Sequence, residues 1–335
     1  MSDILVRINR GKIVEDIIRG DLAVIDKQGS IVAKVGDPYK VTYVRSAIKP
    51  IQTSVIIEDG IAERYGINDE EIAVMCSSHN AEDFQIRAVK SILEKIGLDE
   101  SYLLCGAEYS LNPKIAEIYI REGQPRRAIN NNCSGKHACM LAIAVERGSD
   151  LAGYPNFRHP VQKEILQIVA AYCQMKPEDI IIGLDGCGVP VFGMPLYNMA
   201  LSYINLGNPD LLAPVRGNAA RSITKAMSDH PLMIAGTGEF CSRLIQVTRG
   251  RIIGKKGADG VFCATVVNGG IALAVKLEDG NMLALAPVVM STLMQLKLLT
   301  KEESNQLAHF YIRDNINCQY DKVGEVRPVF DLEIL

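Results

Sequence analysis

The sequence has 335 residues and lacks a membrane-spanning segment, because no stretch offers roughly twenty uncharged apolar residues. The most apolar segment, residues 282–299, contains Pro287 and Lys297 and is typical of a buried or amphipathic helix. The start, Met1–Arg7, also lacks the apolar core of a secretory signal. We therefore expect a soluble cytoplasmic protein.

Basic residues are not in excess either, because 36 Lys and Arg face 39 Asp and Glu and give a formal net charge of −3. These charges are spread along the chain, so no basic patch could hold a polyanion and a nucleic-acid partner is not expected. Hydrophobic residues make up 48% of the sequence, which excludes general disorder. Repeats, low-complexity tracts and Pro/Ser-rich linkers are absent, so we predict a single domain over residues 1–335.

Signals for a metal hydrolase or a disulfide framework are weak. The sequence has five histidines and no His-Glu-x-x-His motif, which leaves zinc hydrolysis through a metal-bound hydroxide as a minor alternative. Its nine cysteines are odd in number and irregularly spaced, and thiols in the cytoplasm stay reduced. We expect free and mostly buried thiols.

Strand signals lie at both ends of the sequence. Near the start, Asp21–Asp26 and Ser30–Val35 are β-rich runs joined by a Lys-Gln-Gly turn at 27–29. The late strand runs are Leu244–Val247, Arg251–Ile253, Phe262–Val267 and Ile271–Val275. We predict an α/β (α+β) fold in which both chain ends, about residues 1–45 and 235–335, form one mixed sheet.

Helical spacing dominates the middle of the sequence. The predicted helices are Ala81–Ile96, Ser134–Val145, Pro160–Tyr172 and, later in the chain, Ala286–Leu299. Asn80 is the predicted N-cap of the first of them. A helical part, about residues 46–234, would therefore be inserted between the two halves of the sheet, with a cleft between sheet and helices.

Ser46 and Lys49 are one helical turn apart, so a helix beginning here would place hydroxyl and amine on one side. Pro50 supports this placement, because proline is tolerated in the first turn of a helix, where free backbone N–H groups could serve an oxyanion. A lysine base needs its pKa lowered from about 10.4 to roughly 7–8. A second cation would help, and Lys255, on a strand-like segment facing the cleft, could supply it.

A Ser-His-Asn motif at residues 78–80 lies between these two elements. The patterns Ser-x-x-Lys, Ser-x-Asn and Lys-x-Gly thus occur in the order found in penicillin-recognising enzymes. Each pattern alone is weak, because Ser222, Ser110 and Lys27 begin second copies of the three. The order therefore favours acyl transfer by a serine, although spacing alone does not choose which serine.

Six sequence blocks carry a closer resemblance. They are Val44–Pro50, Cys76–Asn80, Asn132–His137, Gly183–Pro190, Gly236–Gly238 and Gly257–Gly260. With these blocks in order along nearly the whole chain, the sequence resembles the L-asparaginase II family. The resemblance implies a fold like that of serine β-lactamases and glutaminases, hydrolysis of L-asparagine to L-aspartate and ammonia, and a homodimer.

The resemblance also implies two Ser-Lys pairs, Ser46 with Lys49 and Ser78 with Lys255. In this scheme Ser46 is the nucleophile and forms an acyl-enzyme, Lys49 takes its proton, and Ser78 and Lys255 relay the proton to the leaving group. No organic cofactor is expected.

A zinc ion near the active site is implied as well, and the family's ligands correspond to Cys133, Lys136 and Cys187. Cys133 lies just before the predicted helix, where the helix dipole and Lys136 should lower the pKa of its thiol. Without the resemblance, two cysteines so far apart would be read as buried free thiols.

The substrate-binding residues follow as a hypothesis. Arg45 would meet the α-carboxylate of asparagine and Asp185 its α-ammonium, while Asn80 and His137 are further predicted substrate contacts. Three alternatives stay open: a glutaminase, a β-lactamase-like enzyme or peptidase, and a catalytically silent ligand-binding protein on the same fold.

Overall fold

A computed structural model describes residues 2–335 of the chain. The strands are β1 (Asp3–Arg10), β2 (Ile13–Asp26), β3 (Ile31–Val35), β4 (Val41–Tyr43), β5 (Ile181–Leu184), β6 (Pro190–Pro195), β7 (Ile252–Gly257), β8 (Val261–Val266), β9 (Ile271–Leu277), β10 (Arg313–Ile316), β11 (Lys322–Pro328) and β12 (Glu333–Ile334).

The α-helices are α1 (Lys49–Gln52), α2 (Ser54–Glu58), α3 (Ile61–Arg64), α4 (Asp69–Met75), α5 (Asp83–Lys95), α6 (Pro113–Arg121), α7 (Ser134–Glu146), α8 (Pro160–Cys173), α9 (Leu196–Gly207), α10 (Pro214–Asp229), α11 (Pro231–Ala235), α12 (Phe240–Val247), α13 (Met282–Gln295), α14 (Lys301–Gln306) and α15 (Ala308–Tyr311). Short 3₁₀ turns are Arg45–Ile48, Glu100–Tyr102, Ala128–Asn130, Pro177–Asp179 and Pro209–Leu211.

Both ends of the chain form the large sheet. Its strands run in the order β10-β11-β1-β2-β9-β8-β7, with β3 also paired to β2 and β12 to β3. The early strands lie between late ones, because β1 pairs with β11 and β2 pairs with β9, where Leu22 is opposite Val275. The predicted α/β class and the sheet built from both chain ends are confirmed, and every strand pairing within residues 2–335 is antiparallel rather than mixed.

Helices cover both faces of the sheet centre. Leu22, Ala23, Val24 and Ile25 of β2 are consecutive and all 0% exposed, although neighbouring side chains of a strand point to opposite faces. Helix α9 packs against β2, β8 and β9, and α13 packs against β1, β8 and β11. Within residues 2–335 no helix combines the length and the hydrophobicity that a membrane crossing requires.

The predicted middle part is helical, with two departures. Residues Leu244–Val247, predicted as a strand, form the end of α12, because the buried Phe240, Cys241, Leu244 and Ile245 recur at helical spacing and α12 packs on β7. The middle part also contains β5 and β6, which form a small sheet with β4. The helical part therefore extends to Val247, and β7 begins the late half of the large sheet.

Asn80 is not the N-cap that the sequence predicts. Helix α5 begins at Asp83, and Glu82 with Gln85 forms a capping box at its N-terminus. The side-chain amide of Asn80 instead donates to Glu239, 159 positions later in the sequence, at 3.3 Å. A residue that resembles a cap in sequence is thus used for a contact between distant segments.

Replacement of Gly135 should test the packing that places α7. A Cβ at this position would overlap the carbonyl oxygen of Val74 in α4. We expect Gly135→Ala to lower the free energy of unfolding by about 1–3 kcal/mol in urea titrations. The control is Gly186→Ala, where a Cβ meets nothing within 4 Å, and its effect should stay within about 0.5 kcal/mol. Equal stability of the two variants would contradict the close helix contact.

Candidate active site

Ser46 lies in the 3₁₀ turn Arg45–Ile48, which leads directly into α1. The fully buried Tyr203 of α9 donates its hydroxyl to the carbonyl oxygen of Ala47 at 2.7 Å and so anchors the turn from the core. Arg45 has a left-handed backbone with φ of 51°, a strained state that is typical of functional sites. Ser46 is partly exposed, so a small molecule can reach it from solvent.

Lys49 is 1% exposed, and its amine is fully hydrogen-bonded. Nζ donates to the carbonyl oxygens of Ser77 at 2.6 Å and Asn132 at 3.2 Å, and to the hydroxyl of Ser78 at 3.2 Å. These three acceptors match the three N–H bonds of an ammonium group. Within residues 2–335 no hydrogen bond joins Lys49 to Ser46, and the expected contact between them is absent from this conformation. The buried carbonyl groups of Ser77 and Asn132 instead hold the amine beside Ser78.

Ser78 lies where the two predicted lysines meet. Lys255, on the edge strand β7, is 0% exposed and places Nζ at 2.8 Å from Ser78 Oγ. The same amine donates to its neighbour's carbonyl, that of Lys256, at 3.0 Å. Lys49, Ser78 and Lys255 therefore form one hydrogen-bonded cluster, although 177 positions separate Ser78 from Lys255.

The environment of Lys255 disfavours a positive charge. Burial removes water from the amine, and the nearby cation of Lys49 repels a second one, which together lower the pKa of Lys255 to about 7. A substantial fraction of this side chain is therefore a neutral amine near neutral pH. A neutral amine hydrogen-bonded to a hydroxyl can accept its proton.

His79 connects this cluster to α7, a contact that the sequence motif did not predict. The backbone N–H of Ala81 donates to Nδ1 at 3.1 Å, and Nε2 lies 2.7 Å from Ser134 Oγ. Burial lowers the pKa of His79 to about 3, so the ring is neutral and Nε2 is the nitrogen that donates to Ser134. The backbone turns sharply just afterwards, with φ of 57° at Ala81.

The three predicted metal ligands lie together. Lys136 Nζ donates to Cys187 Sγ at 2.9 Å, and the thiol of Cys187 is hydrogen-bonded to Cys133. Asp185 Oδ2 lies 3.5 Å from both Lys136 Nζ and Cys187 Sγ. All three predicted ligands are at most 6% exposed, so the group is a buried cluster of two sulfurs and an amine beside a carboxylate.

Two of the three predicted ligands, the sulfurs of Cys133 and Cys187, are donors of the kind that zinc prefers. The hydrogen bond from Cys187 outweighs burial and lowers the pKa of Cys133 well below its ordinary value, so one sulfur has the thiolate character that zinc prefers. Burial opposes the charge of Lys136, but the surrounding anions raise its pKa, so the amine would lose a proton on binding a metal. Within residues 2–335 no three His, Cys, Asp or Glu side chains are grouped to hold a metal ion, so the site would need Lys136 as a ligand.

Arg45 and Asp185, predicted to bind opposite ends of the substrate, contact each other. Arg45 Nε donates to Asp185 Oδ1 at 3.0 Å, and its guanidinium also pairs with Asp259. Burial opposes the charge of Asp185, but Lys136 and Arg45 lower its pKa, which keeps it ionised. Asp259 was not predicted as a site residue, although it lies in the Gly-Ala-Asp-Gly block.

Asn80 and His137, the other predicted substrate contacts, are both buried. Asn80 shares its acceptor Glu239 with Lys256, whose amine lies 2.8 Å from the same carboxylate. His137 Nδ1 lies 2.6 Å from the hydroxyl of Tyr154, and burial lowers the pKa of the ring well below its ordinary value. Glu239 and Tyr154 stand in no sequence motif, so only the fold reveals them.

The chain belongs to the L-asparaginase II family, which matches residues 6–328. This membership places it among hydrolases. A beta-lactamase from Mycobacterium bovis is 15% identical over 87% of this chain and 95% of that one, with a TM-score of 0.38. A simvastatin synthase variant from Aspergillus terreus is 13% identical over 77% and 86%, also with a TM-score of 0.38. These low scores add nothing to the family match, and no curated protein matches the chain.

The low pKa of Lys255 predicts how stability depends on pH. Between about pH 7 and the ordinary value of 10.5, the unfolded chain binds a proton at this lysine that the folded protein does not. The free energy of unfolding therefore rises with pH across this window, by up to roughly 4–5 kcal/mol from this residue. Lys255→Met should flatten that rise in urea titrations from pH 7 to 10, whereas Lys256→Met should keep the parent's slope. A parental slope in Lys255→Met would contradict the assigned pKa.

Proposed function

We propose that this chain is an L-asparaginase, an amidohydrolase that converts L-asparagine to L-aspartate and ammonia through an acyl-enzyme on Ser46. The main support is the hydroxyl of Ser78, held between two buried amines in the loop region beside the Ser46 turn. The family of the chain is consistent with amide hydrolysis. The substrate would be a small molecule, and a homodimer stays part of the proposal.

The cluster would first prepare a base. Lys49 donates to Ser78 Oγ, and Ser78 can donate in turn to neutral Lys255. Proton transfer along this path moves one proton from Lys49 to Ser78 and one from Ser78 to Lys255, which leaves Lys49 neutral and Lys255 charged. Rotation of the flexible Lys49 side chain would then bring its neutral amine to Ser46.

Acyl transfer would follow in two balanced stages. Lys49 takes the hydroxyl proton of Ser46 while Oγ attacks the side-chain amide carbon of asparagine, and the resulting oxyanion is held by backbone N–H groups near the start of the helix. The proton passes from Lys49 to Ser78 while the Ser78 hydroxyl, held by Lys255, gives its own proton to the nitrogen, so that the C–N bond breaks and ammonia leaves. Water, deprotonated by the Lys49 amine, then hydrolyses the aspartyl ester and restores the Ser46 hydroxyl.

The α-carboxylate and α-ammonium groups of asparagine would be bound by Arg45 and Asp185, which already contact each other. The guanidinium of Arg45 would bind the α-carboxylate in addition to its present partners Asp185 and Asp259, and Asp185 would accept from the α-ammonium. A zwitterion brings one charge of each sign, so it can enter this group without leaving a buried charge unpaired. Asn80 and His137 would supply further neutral contacts.

Zinc, if bound, would be held by Cys133, Lys136 and Cys187, with Asp185 beside them. Its charge would order the loop around Cys187 and, through Asp185, the substrate-binding side of the cleft. The proton transfers described above use residues of the chain alone.

Replacement of the proposed nucleophile distinguishes an asparaginase from a glutaminase, a β-lactamase-like enzyme and a catalytically silent ligand-binding protein. Ser46→Ala should lower ammonia release from L-asparagine by roughly a thousandfold or more, because no other hydroxyl replaces the attacking atom. The measurement compares L-asparagine, L-glutamine and a β-lactam as substrates for the parent and the variant.

Ser222 provides the matched control, because it begins a second Ser-x-x-Lys sequence in α10 whose Lys225 pairs with Asp69 and Asp229. Ser222→Ala should keep parental activity. Parental activity in Ser46→Ala would exclude the serine mechanism. If the parent hydrolyses glutamine or the β-lactam better than asparagine, that compound is its substrate instead. If the parent hydrolyses none of the three, the ligand-binding alternative is favoured.

Metal content tests the zinc site separately. Cys187→Ala, purified without added chelator, should contain less than one tenth of the parent's zinc by elemental analysis, because the cluster loses one of its two sulfurs. Cys263→Ala removes an equally buried thiol of β8 and should retain the parent's zinc. Equal zinc in both variants, or none in the parent, would remove Cys187 from the proposed ligands.

A further inference from the structure

His137 and Tyr154 form a buried pair whose hydrogen bonds leave one nitrogen free. Both side chains are 0% exposed, and the rings meet edge-on with centroids 5.5 Å apart. The hydroxyl of Tyr154 accepts from the backbone N–H of Leu104 at 2.9 Å and lies 2.6 Å from His137 Nδ1. His137 Nε2 is buried and has no hydrogen-bond partner within residues 2–335.

These contacts select one tautomer of the histidine. If Nδ1 accepts, the Tyr154 hydrogen is used, and only the N–H at Nε2 stays unpaired. If Nδ1 carries the hydrogen instead, it donates to a hydroxyl oxygen that already accepts from Leu104, and then both the Tyr154 hydrogen and Nε2 lack partners. An unpaired buried polar group is costly, so the arrangement with one such group is favoured over the arrangement with two.

His137 lies near the charged residues of the candidate site, because the charges of Lys136, Lys49 and Asp185 all act on its ring. His137 follows Lys136 in α7, and Lys136 contacts both Cys187 and Asp185. A fixed and fully desolvated N–H at this position is suited to an oxygen acceptor that arrives with a ligand. It offers a hydrogen bond without adding another charge to a site that already contains several.

We propose that Tyr154 is a positioning residue that holds His137 as the Nε2–H tautomer, and that this N–H donates to an oxygen of the bound substrate. The second part rests on the proposed function, since it requires the amino-acid substrate to occupy the cleft. Tyr154 acts only through His137 and does not itself contact the substrate.

The tautomer can be measured without any activity. In ¹⁵N-histidine-labelled protein, ¹H–¹⁵N correlation spectra should show His137 protonated at Nε2 and unprotonated at Nδ1, with the resonance assigned by its loss in His137→Gln. In Tyr154→Phe this pattern should change to a mixture of tautomers. An Nδ1–H tautomer or an imidazolium in the parent at neutral pH would overturn the proposal.

Kinetics tests the donor. Tyr154→Phe and His137→Asn should lower kcat/KM for L-asparagine by roughly 10- to 100-fold, since each disturbs or removes the N–H. His137→Gln, whose amide reaches the position of Nε2, should recover most of that loss, which a purely structural role would not predict. A rise in KM identifies the α-carboxylate as the acceptor, and a fall in kcat identifies the reacting amide oxygen.

Tyr172→Phe is the matched control, because Tyr172 is also 0% exposed and its hydroxyl accepts from Ser54 at 3.0 Å in the core. It should keep parental kcat/KM. If His137→Asn and His137→Gln are equally impaired, or if Tyr154→Phe is no worse than Tyr172→Phe, the donor role is wrong. A parent without asparaginase activity but with the expected tautomer would instead reject the proposed function.

Discussion

Two lysine amines are buried around one serine hydroxyl, and the candidate site depends on that arrangement. Lys49 and Lys255 both place Nζ against Ser78 Oγ, at 3.2 and 2.8 Å, with almost no exposed surface. Two buried cations so close would be strongly destabilising. Carbonyl acceptors stabilise Lys49, and burial beside that cation leaves Lys255 with a pKa of about 7. One amine is thereby suited to carry a proton and the other to accept one.

The topology of the sheet makes this meeting possible. Lys49 follows the short strand β4, Ser78 follows α4, and Lys255 lies on β7, which the late half of the chain adds at the edge of the large sheet. Gly257 lets β7 approach the Ser46 turn, because a Cβ there would lie only 2.8 Å from the Val44 carbonyl oxygen. Fold and site therefore depend on the pairing of early and late strands.

Sequence patterns predicted the sheet from both chain ends and four of the longer helices, α5, α7, α8 and α13, but not α9 or α10. They could not predict the partners of Lys49, because the carbonyl groups of Ser77 and Asn132 are backbone atoms that only tertiary packing brings to its amine. Leu244–Val247 has the composition of a strand, but burial against β7 selects a helix. Tyr154 acts through a contact 17 positions away with no motif of its own. The candidate reactive residues were thus proposed from sequence mainly through the family resemblance, and their hydrogen bonds depend on long-range contacts.

Direct identification of the acylated residue would test the account most sharply. The parent protein, mixed with L-asparagine and quenched in acid during turnover, can be digested and mapped by mass spectrometry for an aspartyl ester. We expect the ester on the peptide that contains Ser46. An ester on Ser78, or ammonia release at full rate with no ester on any serine under conditions that preserve such esters, would contradict it.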